Sequence, residues 1–382
     1  PLTFRFKGES SGTYTIKTSG NKIITAYFQG NGEYLLDGPL TVDYLYHSAG
    51  TLRTQNNAMN IFLFQGTGGE LYLGASTLTI AAGSNSSQFL YAVNKFFAQN
   101  STVVFQSYSI YLSSSQHTIG LTFNNLVFEG DDINWVSDLN VLGKMTFKKS
   151  NTYQGLRSCS INELEFQQNA LITGSCSVQT ATFNGNATIT GNNTFTNLNL
   201  TPGKIYTLGA GNTQTVNGIL NAPGLNNSPI SILSTTTGTK ANLKKDGTEP
   251  ICADFLALSD IAGIGAAAKY AGVGGVNVNN SSTGWQFTAC ACNLTPNLAA
   301  ASDLAICPGE SASLVLGGDF RSWHKAVWYD NAALSGTPLY RSATNNFQPT
   351  QPGTYYGVIE SPYPQCSSSV VPMPTAGPAT AA

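Results

Sequence analysis

Between residues 159 and 208 the apolar positions fall into columns when the sequence is written in rows of 17. Ile161, Val178 and Phe195 share one column, and Leu164, Ala181 and Leu198 the next. Phe166, Phe183 and Leu200 follow, then Ile172, Ile189 and Tyr206, and then Thr173, Thr190 and Thr207. Within a row, apolar and polar residues mostly alternate, which is the period of a strand and not of a helix. A repeat this short cannot enclose a core, so successive rows must stack and bury their apolar faces on one another. The pattern predicts a parallel β-solenoid (β-helix).

The same texture runs from Tyr14 to about Phe287 as short strand-like segments separated by Gly, Asn and Ser. Examples are Tyr14–Lys17, Leu40–Tyr46, Leu71–Leu73, Leu78–Ala81, Val103–Ser107 and Leu121–Phe128. A looser echo accompanies the rows. Phe123-Asn-Asn-Leu126 is answered by Phe195-Thr-Asn-Leu198, and Val141-Leu-Gly-Lys-Met145 by Val216-Asn-Gly-Ile-Leu220. Spacings of 72 and 75 residues fit several turns with corners of variable length. Ala253–Gly272 competes for a helical reading, but Gly263, Gly265 and Gly272 interrupt it. We expect a strand over Asp254–Leu258 and at most one helical turn near Ala266–Tyr270.

After Cys292 the pattern changes. Residues 1–292 are assigned to the solenoid, 293–302 to a linker, 303–370 to a compact second domain and 371–382 to a Pro/Ala/Thr-rich tail or linker. The second domain carries Ala312-Ser-Leu-Val-Leu316, a central Trp328, Gly353-Thr-Tyr-Tyr356 and flanking Cys307 and Cys366. That set suggests a small Ig-like β-sandwich. The fold class is all-β.

Composition narrows the function. Charged residues are 10% of 382, against ~25% in an ordinary soluble protein, and 39 glycines help to fill the gap. The net charge is -2, with no basic field, so nucleic acid is not an expected partner. No apolar run approaches ~18 residues, so no membrane span is expected. Residues 1–20 lack a signal-peptide pattern and the chain opens on Pro1, so it reads as a processed form or an excised piece.

Seven cysteines all lie after residue 158, with no CxxC pair and no neighbouring histidine. The CxC at Cys290–Cys292 is too short for a zinc finger, so disulfides in an oxidising compartment fit better. Cys159 and Cys176 share a column; adjacent coils would set their Cα atoms ~4.8 Å apart, within the roughly 4.4–6.8 Å disulfide range. They bridge neighbouring coils or stack as a reduced pair. Cys252 is expected to pair with Cys290 or Cys292. Cys307 with Cys366 would tie the ends of the second domain, contributing roughly 4 kcal/mol in the chain-entropy account.

Several phrases, in order, carry a likeness: Gly32-Glu-Tyr-Leu-Leu36 with Leu40-Thr-Val42, Leu73-Gly-Ala-Ser-Thr-Leu-Thr-Ile80, and Leu121-Thr-Phe-Asn-Asn-Leu126. Thr283-Gly-Trp-Gln-Phe287 and the Cys307-Pro-Gly-Glu-Ser311 opening complete it. With these the chain resembles the large, repetitive cell-surface proteins of Bacteroidota, including adhesin-like cargo of the type IX secretion system. The resemblance implies secretion, surface display, and a part in adhesion or gliding-type motility. It brings no catalytic residues and no cofactor.

Candidate chemistry is sparse. Glu129-Gly-Asp-Asp132 is the densest acidic cluster, readable as a calcium loop or as a solvated corner. Trp323 and Tyr329, beside His324 and Trp328, form a sugar-binding surface or simply pack in and around a sandwich core. Asn169 and Asn186 lie one row apart, as an Asn ladder or as polar corner residues. The leading expectation is a non-enzymatic extracellular module with other domains of a long surface protein, a glycan or surface ligand, or further copies in a filament as partners. The alternatives are a β-helix polysaccharide lyase or hydrolase with close paired carboxylates, and a non-catalytic glycan-binding module marked by a row of exposed aromatics.

Overall fold

The computed structural model describes residues 3–9, 12–18, 20–81, 87–89, 95–106, 110–111, 121–131, 136–290, 297–301, 305–306, 311, 313–317, 324–351, 354–361, 371–372 and 377–378. The chain divides into two units, Pro1–Phe287 and Thr288–Ala382.

The first unit is a parallel β-solenoid of about 12 turns. Its strands pair in parallel with strands one coil away, mostly 17 to 26 residues along the chain. The step is 19 residues from Thr25 to Tyr44 and from Tyr44 to Leu63, then 17 from Leu164 to Ala181 and from Ala181 to Leu198. It widens to 26 from Tyr206 to Ile232 and from Ile232 to Leu258. Corners absorb the difference while the strands keep register.

Inward columns form the core. Leu164, Ala181 and Leu198 lie one above another, all buried, as the alignment in rows of 17 requires. The looser echo is also a matter of columns. Phe123, Val141, Ile161, Val178 and Phe195 occupy a single column through four successive coil steps. Phe105, Phe128, Phe147, Phe166 and Phe183 make another. Their rings stack within 10–17° of parallel, with centroids 5.6, 4.7, 4.6 and 5.3 Å apart. Strand spacing of ~4.8 Å falls within the separation that stacked aromatic rings prefer, so register alone builds the stack.

One column differs from expectation. Ile189 faces Leu208, while Tyr206 faces Ala187 and Thr207 faces Thr188. Five residues separate Leu200 from Tyr206 where three separate Phe183 from Ala187, so the Pro202–Gly203 corner shifts the register by two. An even insertion preserves the alternation, and Tyr206 stays inward. Its ring meets Phe183 edge-on at 6.3 Å, and its hydroxyl donates to the Phe183 carbonyl at 3.0 Å. Burial pushes that phenol up to about 12.

Asn193 and Gln214 show how polar residues inside a corner are satisfied, whereas the buried side chains of Ser101 and Asn151 make no hydrogen bond among the described residues. Asn193 and Gln214 are buried; the Asn193 amide donates to Gln214 Oε1 at 2.8 Å, and its carbonyl accepts from the Cys176 N–H at 2.8 Å. Gly191 (φ 76°) completes the turn because a Cβ there would press on the backbone of Gly174 one coil below. Near the end of the unit two lysines are buried. Lys245 Nζ reaches Glu249 Oε2 at 2.9 Å and the Gly218 carbonyl, and Lys269 Nζ reaches the Ala267 carbonyl at 2.6 Å. These partners offset the desolvation of each ammonium. The Ala253–Gly272 segment carries strands Leu256–Ser259, Ile261–Ile264 and Lys269–Tyr270, with no helical turn at Ala266–Tyr270.

Among the described residues the second unit holds one parallel pair, Ala305–Ile306 with Gly377–Pro378, and two small antiparallel sheets. Asn297–Ala301, Leu314–Gly317 and Asn346–Phe347 form one, and Tyr340–Ser342, Lys325–Tyr329, Tyr356–Glu360 and Val371–Pro372 another. Asn297–Ala301 falls inside the span expected as linker and is a strand instead. Trp328 is fully buried and lies 5.4 Å from the Phe347 ring.

Candidate binding surface

The outward columns of the solenoid decide what it can do. Four of their acids are held in ion pairs across coils. Glu33 meets Arg53 at 2.6 Å, Glu70 meets Lys95 at 2.6 Å, Glu129 meets Lys148 at 2.8 Å and Glu165 meets Lys144 at 2.6 Å. The Arg53 hydrogen bond holds Glu33 below the usual carboxylate range, Lys95 does the same to Glu70, and Lys148 with Gln106 to Glu129. A glycosidic general acid needs the opposite perturbation, a carboxyl held protonated near neutral pH.

At the proposed calcium corner, Glu129 is turned to Lys148 and Asp131 lies 3.5 Å from Lys149, while Asp132 lies outside the described residues. Among the described residues no three metal-ligating side chains cluster. Gly272 and Gly274 both have positive φ and make a corner.

Outward aromatic rows occur, among the described residues, along the first coils. The Arg5 guanidinium lies 4.5 Å over Tyr27, which stacks on Tyr46 at 4.7 Å. Arg53 lies 3.9 Å over Tyr72, which stacks on Phe97 at 4.1 Å. The stacked faces are already covered by neighbours, so the rows present mainly ring edges and hydroxyls. At a nearby corner Phe62 meets Tyr44 edge to face at 6.4 Å, and both rings are exposed.

The cysteine column is as expected: Cys159 and Cys176 pair in register, 4.5 Å apart at Cα, and form a disulfide. Cys252 and Cys290 are each disulfide-bonded. Cys292, Cys307 and Cys366 lie outside the described residues, as does Trp323. Tyr329 pairs with Tyr356 in the antiparallel sheet, and His324 and Trp328 are buried. Trp328 therefore fills the interior of the second unit. The Asn169–Asn186 pair does climb the stack, but through the backbone: Asn169 Oδ1 accepts the Asn186 N–H at 3.1 Å and Asn186 Oδ1 the Ile205 N–H at 2.9 Å.

Sequence reasoning missed a groove of about 520 Å³ on the outer flank. One wall is a column of small polar side chains, Thr122, Asn140, Ser160 and Ser177, in register over four coils. The opposite wall is the corner row Leu142, Asn162 and Gln179. Leu142 projects there because a bulge inserts one residue between Val141 and Lys144, and it is 66% exposed. The legible signal was alternation: each polar residue of the column precedes an inward apolar one, at Phe123, Val141, Ile161 and Val178. A larger open cavity, about 990 Å³, lies at the first coil, where Thr3–Phe6 and Thr13–Lys17 each pair on one side only.

No protein-family model, curated protein or solved structure matches the chain.

Proposed function

We propose that the chain is a non-catalytic extracellular module of a bacterial surface protein, in which a β-solenoid holds and displays an adhesive flank. The observation that carries this reading is the pairing of four outward glutamates with lysine or arginine on neighbouring coils, beside columns of hydroxyls and carboxamides. Cross-coil disulfide bonding at Cys159–Cys176 accords with an oxidising, extracellular address. The likeness to Bacteroidota surface adhesins points the same way. In this reading the second unit is an Ig-like sandwich, supported by two antiparallel sheets and a buried central Trp328, and it serves as spacer or joint. Other domains of a long surface protein, or further copies in a filament, are its partners.

Beads coated with residues 1–382 test the reading against bacterial and host-cell surfaces. Saturable retention is the expected result. Turnover assays on acidic and neutral polysaccharides, with and without calcium, should give no new reducing ends or unsaturated products. Product formation that survives purification would replace the adhesive reading with an enzymatic one.

A further inference from the structure

The polar groove differs from the rest of the flank in one respect: its side-chain hydrogen-bonding groups are largely unspent, Gln179 Oε1, which accepts from Thr196 Oγ1 at 2.9 Å, being the exception among the described residues. Elsewhere, outward side chains bond along the stack, with Asn197 to Thr180 at 3.4 Å, Asn199 to Thr182 at 3.2 Å and Asn242 to Thr213 at 3.3 Å. In the groove, the side chains of Thr122, Asn140, Ser160, Asn162 and Ser177 make no such bond among the described residues. They face an open channel that runs along the stack, with a rung every ~4.8 Å, the length scale of a single pyranose ring. Beside them stands Leu142, the most exposed large apolar side chain of the described residues.

Charge selects among ligands. No residue lining the groove is charged. Asp138 and Glu163 are exposed at its margins and form no ion pair among the described residues, while nearby Lys144 is held by Glu165. A polyanion would meet two carboxylates outside any ion pair, while of the cations nearby Lys144 is held by Glu165 and Arg157, three residues before Ser160, donates to Thr173 Oγ1 at 3.2 Å. An uncharged polyhydroxylated chain meets hydroxyl and carboxamide partners, with an apolar side chain for the C–H face of a sugar.

We infer that the groove formed by Thr122, Asn140, Ser160, Ser177 and the Leu142–Asn162 corner is a binding site for a neutral polysaccharide lying parallel to the stack. This rests on the adhesive reading and deepens it by naming the ligand class. The ligand is held by hydrogen bonds repeated from coil to coil and not by ion pairs. Binding is therefore insensitive to salt, unlike contacts between exposed charges.

The test is affinity electrophoresis and calorimetry of the full 382-residue chain. The probes are hydroxyethylcellulose, xyloglucan, galactomannan and laminarin, set against polygalacturonate and alginate. At least one neutral polymer should retard the protein, with affinity unchanged between about 50 and about 500 mM salt. Leu142→Asp, and Asn162→Ala combined with Ser177→Ala, should each weaken that binding roughly tenfold or more. Asn199→Ala combined with Thr182→Ala, the same chemistry on another column, should leave it unchanged. Thermal melts confirm that each exposed-site variant is folded. Groove variants that bind like the parent overturn the inference, as does retardation by the acidic polymers alone. Failure of every polymer also overturns it, while the bead assay separately decides whether the module adheres through another chemistry.

Discussion

The coils before residue 98 and those between 102 and 200 solve one geometric problem in different ways. In the later coils the strand ends inward on a phenyl ring from Phe105 to Phe183, with Phe147, Phe166 and Phe183 stacked in succession, before Leu200 takes the column. In the earlier coils the column that Phe105 continues is aliphatic, running Ile23, Val42, Ile61, Ile80. A separate column runs Phe6, Phe28, His47, Gly66, so its ring stack is broken by an imidazole and then by a residue with no side chain. Outside, the order reverses. The early coils stack Tyr27 on Tyr46 and Tyr72 on Phe97, whereas the later ones join Asn to Thr. Parallel register rewards any side chain that packs well on its own kind, and it does so on either face. Position then sets the magnitude, because the inner stack is dry and the outer one is wet.

The largest effect should come from opening the inner stack. Phe147→Ala leaves a cavity between two rings and should cost about 3–5 kcal/mol in denaturant unfolding. Tyr46→Ala, the outer counterpart, should cost under about 1.5 kcal/mol; equal losses would erase the distinction between the faces.

Acid should find the early coils first. His47 is fully buried, its Nε2 lies 3.3 Å from the Gly50 carbonyl, and burial lowers it to about 4 from 6.5. A base with a depressed folded-state pKa is stabilising above its unfolded value and loses that contribution as pH falls from about 6.5 towards 4. The full loss is about 3 kcal/mol. Hydrogen exchange at pH 4.5 should therefore quicken across residues 40–66 while residues 159–200 stay protected, and His47→Phe should remove the difference.

A smaller effect, about 2–3 kcal/mol, is expected from reducing Cys159–Cys176, which closes a loop of 17 residues. Comparing melts of the oxidised protein and the Cys159→Ser/Cys176→Ser variant reads it directly. The smallest belongs to the outer amides. Asn199→Ala removes a half-exposed bond to Thr182 and should cost about 0.5–1 kcal/mol.

What the sequence disclosed follows from the same physics. Where the step is constant at 17, columns such as Leu164–Ala181–Leu198 and the Cys159–Cys176 pair can be found by counting. Where a corner gains residues, counting fails beyond it. Tyr206 was misplaced because Pro202 and Gly203 lengthen a turn whose conformation no side-chain pattern records. The earlier coils step by 19 and then by 25 between Thr77 and Thr102, so only their strands were legible and not their register. The strand at Asn297–Ala301 was hidden for another reason: alanine is depleted in strands, and what places it there is pairing with Leu314–Gly317. The groove depends on outward side chains, which obey no burial constraint, and on a one-residue bulge at Leu142.

Because hydrogen bonds between coils run along the stacking axis, a pull on the ends of the solenoid would peel it one coil at a time. Each coil let go frees 17 to 26 residues, about 6–9 nm of slack at ~3.5 Å per residue. Cys159–Cys176 withholds one such length from the total, so the redox state of two sulfur atoms sets how far the solenoid could lengthen under load.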